Sequence, residues 1–156
     1  MPSILESIIK KKISLWNEIV FTEDVLLKLC TIHNARHYED EEIKGKGEYT
    51  NYDGVWFVVI NKNLDRRMKL WVGLHEFGHH LLHYPVPHKF SKGTKRKMDR
   101  QANFFAAVAQ IPTFLIKENL IIGTTVDAAL GMIAEEFNYH KDLIKIRKEI
   151  WENYQI

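Results

Sequence analysis

The sequence predicts an α+β fold that is mostly helical, with a small sheet from the middle of the chain and a pair of helices at its C-terminal end. Three observations carry that expectation. Apolar residues recur at helical spacing near both ends, as in Ile4, Leu5, Ile8, Ile9 and Ile13 and again in Leu130, Ile133, Ala134 and Phe137. In between, Glu48–Tyr52 and Val55–Ile60 are strand-prone runs separated only by Asp53-Gly54, two residues that tolerate the positive φ of a tight hairpin turn. No repeat or low-complexity stretch interrupts the 156 residues, a length that suits one domain able to bury a core.

Each element has its own warrant. The opening helix mixes its Ile and Leu residues with Glu6, Lys10, Lys11 and Lys12, an amphipathic pattern and not the continuous apolar run of a signal peptide. Thr22 is a suitable N-cap for a second helix through Leu26, Leu29 and Cys30. Tyr38 to Lys46 is charged and reads as irregular. Val55-Trp56-Phe57-Val58-Val59-Ile60 is apolar on both faces, so this strand is expected to be central or covered. A helix follows from Asp65 to about His83, with Leu70, Leu74, Phe77, Leu81 and Leu82 toward the core, ended by Pro85 and Pro87 because proline cannot continue the ladder. The next helix is expected from about Lys97 to Ala109, stopping before Pro112. After a loop at Gly123 come the last two helices, the second marked by Leu143, Ile146 and Ile150. On this reading residues 1–120 form the main domain and residues 121–156 a C-terminal helical element packed on it.

Composition excludes several function classes. A balance of 22 Lys+Arg against 20 Asp+Glu is too even to announce nucleic acid or a membrane surface as partner. The basic run from Lys92 to Arg100 reads as a solvated face. Apolar runs such as Val55 to Ile60 are far too short to span a membrane, and a cytoplasmic protein is expected. The single cysteine, Cys30, rules out an internal disulfide and a thiolate zinc site, and it fits a reducing compartment.

The chemistry concentrates in His75-Glu76-Phe77-Gly78-His79, the pattern H-E-x-x-H on a helix that follows a strand. Histidines four apart share a helix face, with Cβ atoms about 5–6 Å apart. Both imidazoles can therefore reach one zinc ion at about 2.0–2.1 Å. Glu76 lies beside the first of them, where its carboxylate can act as general base on water. The bland alternative is a chance pattern in a chain with 8 histidines; it would bury His and Glu together on a core-facing helix at a cost. His83 shares the face of His79 but lies about 12 Å along the axis from His75, so those two cannot share an ion. It is expected to pack or support near the helix end. His80 points about 100° away from His79 and is not expected to be a ligand. A catalytic zinc takes a third protein ligand and keeps an open position. Asp99 is offered at the start of the next helix, where Ala102, Ala106 and Ala107 permit close approach to another helix. It is either that ligand or an early-turn acid favoured by the helix dipole.

Together these residues resemble the ImmA/IrrE family of metallopeptidases, a gluzincin-like group. The family's pattern is matched here by Ile60-Asn61, Arg66-Arg67, the run from His75 to His83, then Asp99-Arg100-Gln101-Ala102-Asn103-Phe104-Phe105-Ala106-Ala107, and Ile111-Pro112. The resemblance covers roughly residues 55 to 115. It implies a zincin-like fold, with zinc on His75, His79 and Asp99 and with Glu76 catalytic. Asp99 stands where the family usually has Glu, one methylene longer, so its helix is expected to sit closer. Ala109 and Gln110 replace a usual pair of Leu residues. Leu130 to Arg147, with Asn138-Tyr139-His140 as the turn, looks like the family's helix-turn-helix-like element.

The resemblance further implies a zinc-dependent endopeptidase acting on a specific protein, in particular an Xre-type helix-turn-helix repressor of a phage, mobile-element or stress locus. One competing expectation is a zincin scaffold, or toxin–antitoxin component, that binds a repressor or antitoxin without cutting it. The intact Glu76 weighs against this, because a structural ion has no use for a base beside it. The other is a DNA-binding module using Lys141, Lys145, Arg147 and Lys148. Glu135, Glu136, Glu149 and Glu152 offset those cations, so direct nucleic-acid binding is not expected. The strand before the active-site helix is expected to offer an edge to an extended substrate. Tyr84, His88 and His140 are the candidates, by residue type alone, for stabilising an oxyanion.

Overall fold

The Asp53-Gly54 turn forms as its residue types require, with φ of 51° and 79°. In this computed structural model, which describes residues 2–84 and 91–156, it joins β2 (Gly47–Tyr52) to β3 (Val55–Asn61) as antiparallel neighbours, with Tyr52 opposite Val55. On its other side β3 pairs in parallel with β1 (Ala35–Asp40). The strand order β1-β3-β2 makes β3 central, which accounts for its apolar character on both faces: Val58, Val59 and Ile60 are all buried.

Two expectations are corrected by this sheet. The segment read as irregular from Tyr38 begins inside a strand, because β1 is a polar edge with only Ala35 buried and so carries no alternation to read. The strand preceding the active-site helix, β3, is hydrogen-bonded on both sides and offers no edge. The free edge near that helix belongs to β2 instead.

Among the described residues the helices are α1 (Pro2–Lys12), α2 (Glu23–Ile32), α3 (Arg66–His83), α4 (Lys92–Gln110), α5 (Thr113–Asn119), α6 (Val126–Phe137) and α7 (Lys141–Tyr154). Thr22 caps α2, and the Asp65 carboxylate caps α3 by accepting from the Met68 amide at 2.9 Å. The prolines expected to end α3 lie outside the described residues. Helix α3 lies close against β3 and α2, since a Cβ on Gly73 would stand 2.7 Å from Leu26 Cδ2 and 2.8 Å from Ile60 Cδ1. Its Leu74 and Phe77 are 0% exposed, and burial of each stabilises by about 1.5–3 kcal/mol. Helix α4 begins earlier than Lys97 because its first turns stand in solvent, where no apolar periodicity marks them. No helix of the described residues is long and apolar enough to cross a membrane.

The chain forms two compact units, Phe21–Ala106 and the combination of Met1–Val20 with Ala107–Ile156. The first holds the sheet, α2, α3 and most of α4. In the second, the end of α4 leaves carbonyls that need donors. The Tyr139 hydroxyl donates to Gln110 O at 2.8 Å, and Arg147 Nε donates to Ile111 O at 2.6 Å. Arg147 is wholly buried, and burial pulls its pKa down to about 9. Lys148 Nζ sits 2.8 Å from Asp127 Oδ1. Two of the four cations considered for phosphate contacts are thus engaged within the unit.

Candidate metal centre and active site

His75 and His79 lie one turn apart on α3, with their Nε2 atoms 3.1 Å apart. Asp99, on α4, places Oδ1 at 3.2 Å from His79 Nε2 and 3.8 Å from His75 Nε2. Ligand atoms held at about 2.0–2.1 Å around a tetrahedral zinc stand about 3.3 Å from one another, and these three separations bracket that value. Because α4 begins at Lys92, Asp99 stands about two turns inside it rather than at its start, which corrects the early-turn reading. The helix dipole acts within the first turn, and the Asp99 carboxylate instead meets both imidazoles. Among the described residues this trio is the one cluster of His, Cys, Asp and Glu that could hold a metal.

The hydrogen bonds behind the histidines decide which nitrogens face the cluster. His75 Nδ1 is 2.7 Å from Asn103 Oδ1, and His83 Nε2 is 2.9 Å from Gln101 Oε1. An amide oxygen only accepts, so both rings donate there. His83 Nδ1 is then an acceptor, and His79 donates to it from Nδ1 at 3.0 Å. Both remaining Nε2 lone pairs therefore point at the Asp99 carboxylate, in the tautomer that metal ligation needs. Burial lowers the pKa of His75. Burial, and then the neighbouring His75 and His83, lower that of His79 to about 4, so both rings are neutral at neutral pH. The donor set, spacing and tautomers fit a divalent metal.

Glu76 sits beside this cluster in a cleft of about 590 Å³, whose lining also includes Gly47, Glu48 and Tyr49 of β2 and Lys95 of α4. Burial, followed by the charges of Asp99 and Glu48, pushes its carboxyl up to about 7. Only glycine lets β2 come so near. A Cβ on Gly47 would stand 3.2 Å from Glu76 Cγ and 2.4 Å from Val72 Cγ1. Asn61 N donates to Lys46 O at 2.8 Å, and the register continues as Gly47 opposite Ile60. Antiparallel pairs alternate, so the backbone groups of Gly47, Tyr49 and Asn51 point away from β3, along the free edge.

Residues 30–147 match the Peptidase_M78 family model, described as the IrrE N-terminal-like domain. The chain belongs to this family. No curated protein and no solved structure matched. Membership in Peptidase_M78 brings with it a zincin-like α+β fold and implies a metallopeptidase-like domain.

Within this M78 domain the other candidates are placed as follows. His80 is buried and turned away from the cluster: Nε2 donates to His33 O at 2.6 Å, and Nδ1 accepts from the Tyr49 hydroxyl at 2.6 Å. It ties β2 to the end of α2. Tyr49, stacked on Trp56 at 4.7 Å, spends its one proton on His80, so toward the cleft its hydroxyl can only accept. Of the oxyanion candidates, Tyr84 is exposed with its ring on Trp56, and His140 caps α7 by accepting from Asp142 N at 3.2 Å. Neither lines the cleft, and His88 lies outside the described residues. Sequence reasoning missed Asn103, although its position four after Asp99 on one helix face was a signal. It missed Gly47 and Gln101 too, for which no local pattern exists.

Glu76 also affects the stability of the metal-free M78 domain. Its carboxyl titrates at about 7 in the fold against an ordinary 4.5, so in that window the folded chain holds a proton the unfolded chain has lost. Stability therefore falls as pH rises through the window. His79 acts in the opposite direction, costing stability as pH falls from 6.5 toward about 4, but wild type and a Glu76 variant share that loss. Metal-free Glu76→Gln is expected to gain on wild type as pH rises from about 5 to about 8, by on the order of 1–2 kcal/mol. Urea unfolding at several pH values measures the difference, and parallel stability curves for the two chains would contradict it.

Proposed function

We propose that this chain is a zinc-dependent endopeptidase in which His75, His79 and Asp99 hold the ion and Glu76 is the general base. The observation that carries the reading is the position of a half-buried carboxyl beside three converging ligand atoms, in a cleft shared with β2. When bound, zinc supplies the Lewis acidity that activates water and polarises a carbonyl. Glu76 takes the proton of the attacking water and passes it to the leaving amine, a task suited to a carboxylate beside the ligand atoms in the cleft. Asn103 and His83 hold the two imidazoles in orientation. An extended substrate segment adds to the outer edge of β2, pairing with the backbone of Gly47 and Tyr49.

The substrate we propose is a helix-turn-helix repressor encoded beside this protein, a choice supported by family likeness. The test is incubation of the zinc-loaded protein with that repressor, followed by mass spectrometry. A discrete cleavage that a chelator prevents is expected. Relief of repression with the repressor left intact would instead make the protein a binding regulator.

A further inference from the structure

Gly78 immediately precedes His79, and Ala102 lies one turn after Asp99 on α4. A Cβ on Gly78 would stand 3.2 Å from Ala102 Cα, 3.4 Å from Ala102 Cβ and 3.1 Å from Phe105 Cδ1. Ala102 Cα is backbone and cannot swing aside. Phe105 is wholly buried, with its ring 5.9 Å from that of Phe77 and 6.4 Å from that of Phe21, so it has nowhere to go. The distance between α3 and α4 is therefore set at this contact, beside the metal cluster. At that distance Asp99 Oδ1 comes to 3.2 Å from His79 Nε2 and 3.8 Å from His75 Nε2, which is ligand spacing reached with a side chain of one methylene.

We infer that Gly78 and Ala102 are positioning residues for the third ligand: their contact brings α4 close enough for a side chain as short as aspartate to complete the metal site. The inference rests on the metal reading above and is independent of whether the protein cuts a substrate. A methyl group at position 78 forces the helices apart by a few tenths of an ångström at the contact. Ligand distances tolerate only about 0.2 Å, and aspartate, with a single methylene, has less length than glutamate with which to follow a receding site. Glutamate has one more methylene and can span the widened gap.

The test is a competition titration of zinc against a chromogenic chelator, using the full chain as wild type, Gly78→Ala, Asp99→Glu and the double variant. Gly78→Ala is expected to lower zinc affinity by about 10–100-fold, the range typical of residues that orient ligands. Asp99→Glu is expected to change wild-type affinity less than about tenfold and to recover at least about tenfold in the Gly78→Ala background, because only the widened site needs the longer reach. Should Gly78→Ala not fold, Ala102→Val loads the same contact from α4, with the same loss and the same rescue expected. Wild-type affinity in Gly78→Ala, or a double variant no tighter than Gly78→Ala, overturns the inference and leaves the metal site standing. Absence of zinc binding in wild type overturns the metal reading itself.

Discussion

Glu76→Gln should bind zinc as wild type does and lose cleavage by about 10²–10⁴-fold, the usual cost of removing a positioned general base. The substitution keeps the side chain's length and leaves His75, His79 and Asp99 untouched. It also keeps the fit against Gly47, whose missing Cβ makes room at Glu76 Cγ. What it removes is the carboxylate that lies in the cleft beside the three ligand atoms and can carry a proton. A substrate can then remain bound and uncut, so wild type and Glu76→Gln should differ in product formed and agree in complex formed. Mass spectrometry of the repressor reads the first quantity and co-purification reads the second. Equal cleavage by both chains would remove Glu76 from the chemistry.

His75→Ala or His79→Ala should each abolish zinc binding at micromolar metal, since each takes away one of three converging ligand atoms. His83→Ala should behave differently. His83 touches the site only through His79 Nδ1, and its loss frees that ring to turn. Loss of an orienting partner of this kind typically costs about 10–100-fold in affinity. Asn103→Ala should fall in the same class, through His75 Nδ1. Titration with a competing chelator separates the two groups. Equal, complete loss in all four variants would place His83 and Asn103 at the metal and overturn the ligand assignment.

Much of this was legible in the sequence, and the reasons are local. The hairpin follows from Asp53-Gly54, and α3 from its apolar periodicity and the Asp65 cap; both signals act within a few residues. The H-E-x-x-H spacing needs only a helix to bring His75 and His79 together. What stayed hidden depends on partners far along the chain. Strand β1 is a polar edge whose ladder comes entirely from β3, so neither alternation nor hydrophobicity marks it. Which strand has the free edge is a matter of order in the sheet, and β1 inserts on the side of β3 opposite β2. That reversal moved the expected substrate edge from β3 to β2. Tyr84 and His140 were chosen as oxyanion candidates by residue type, which says nothing of where a side chain is carried. Arg147 looked like a surface cation for the same reason. It is a buried cap, because the carbonyls ending α4 need donors that only the folded chain supplies.

The central claim is that His75, His79 and Asp99 hold one zinc ion. Elemental analysis combined with zinc-edge X-ray absorption on the purified full chain tests it most directly. About one zinc per chain is expected, with two imidazole nitrogens at about 2.0–2.1 Å and the remaining ligands oxygen at about 2.0–2.2 Å. Substoichiometric zinc, or a shell of three imidazoles that persists in Asp99→Ala, would contradict it.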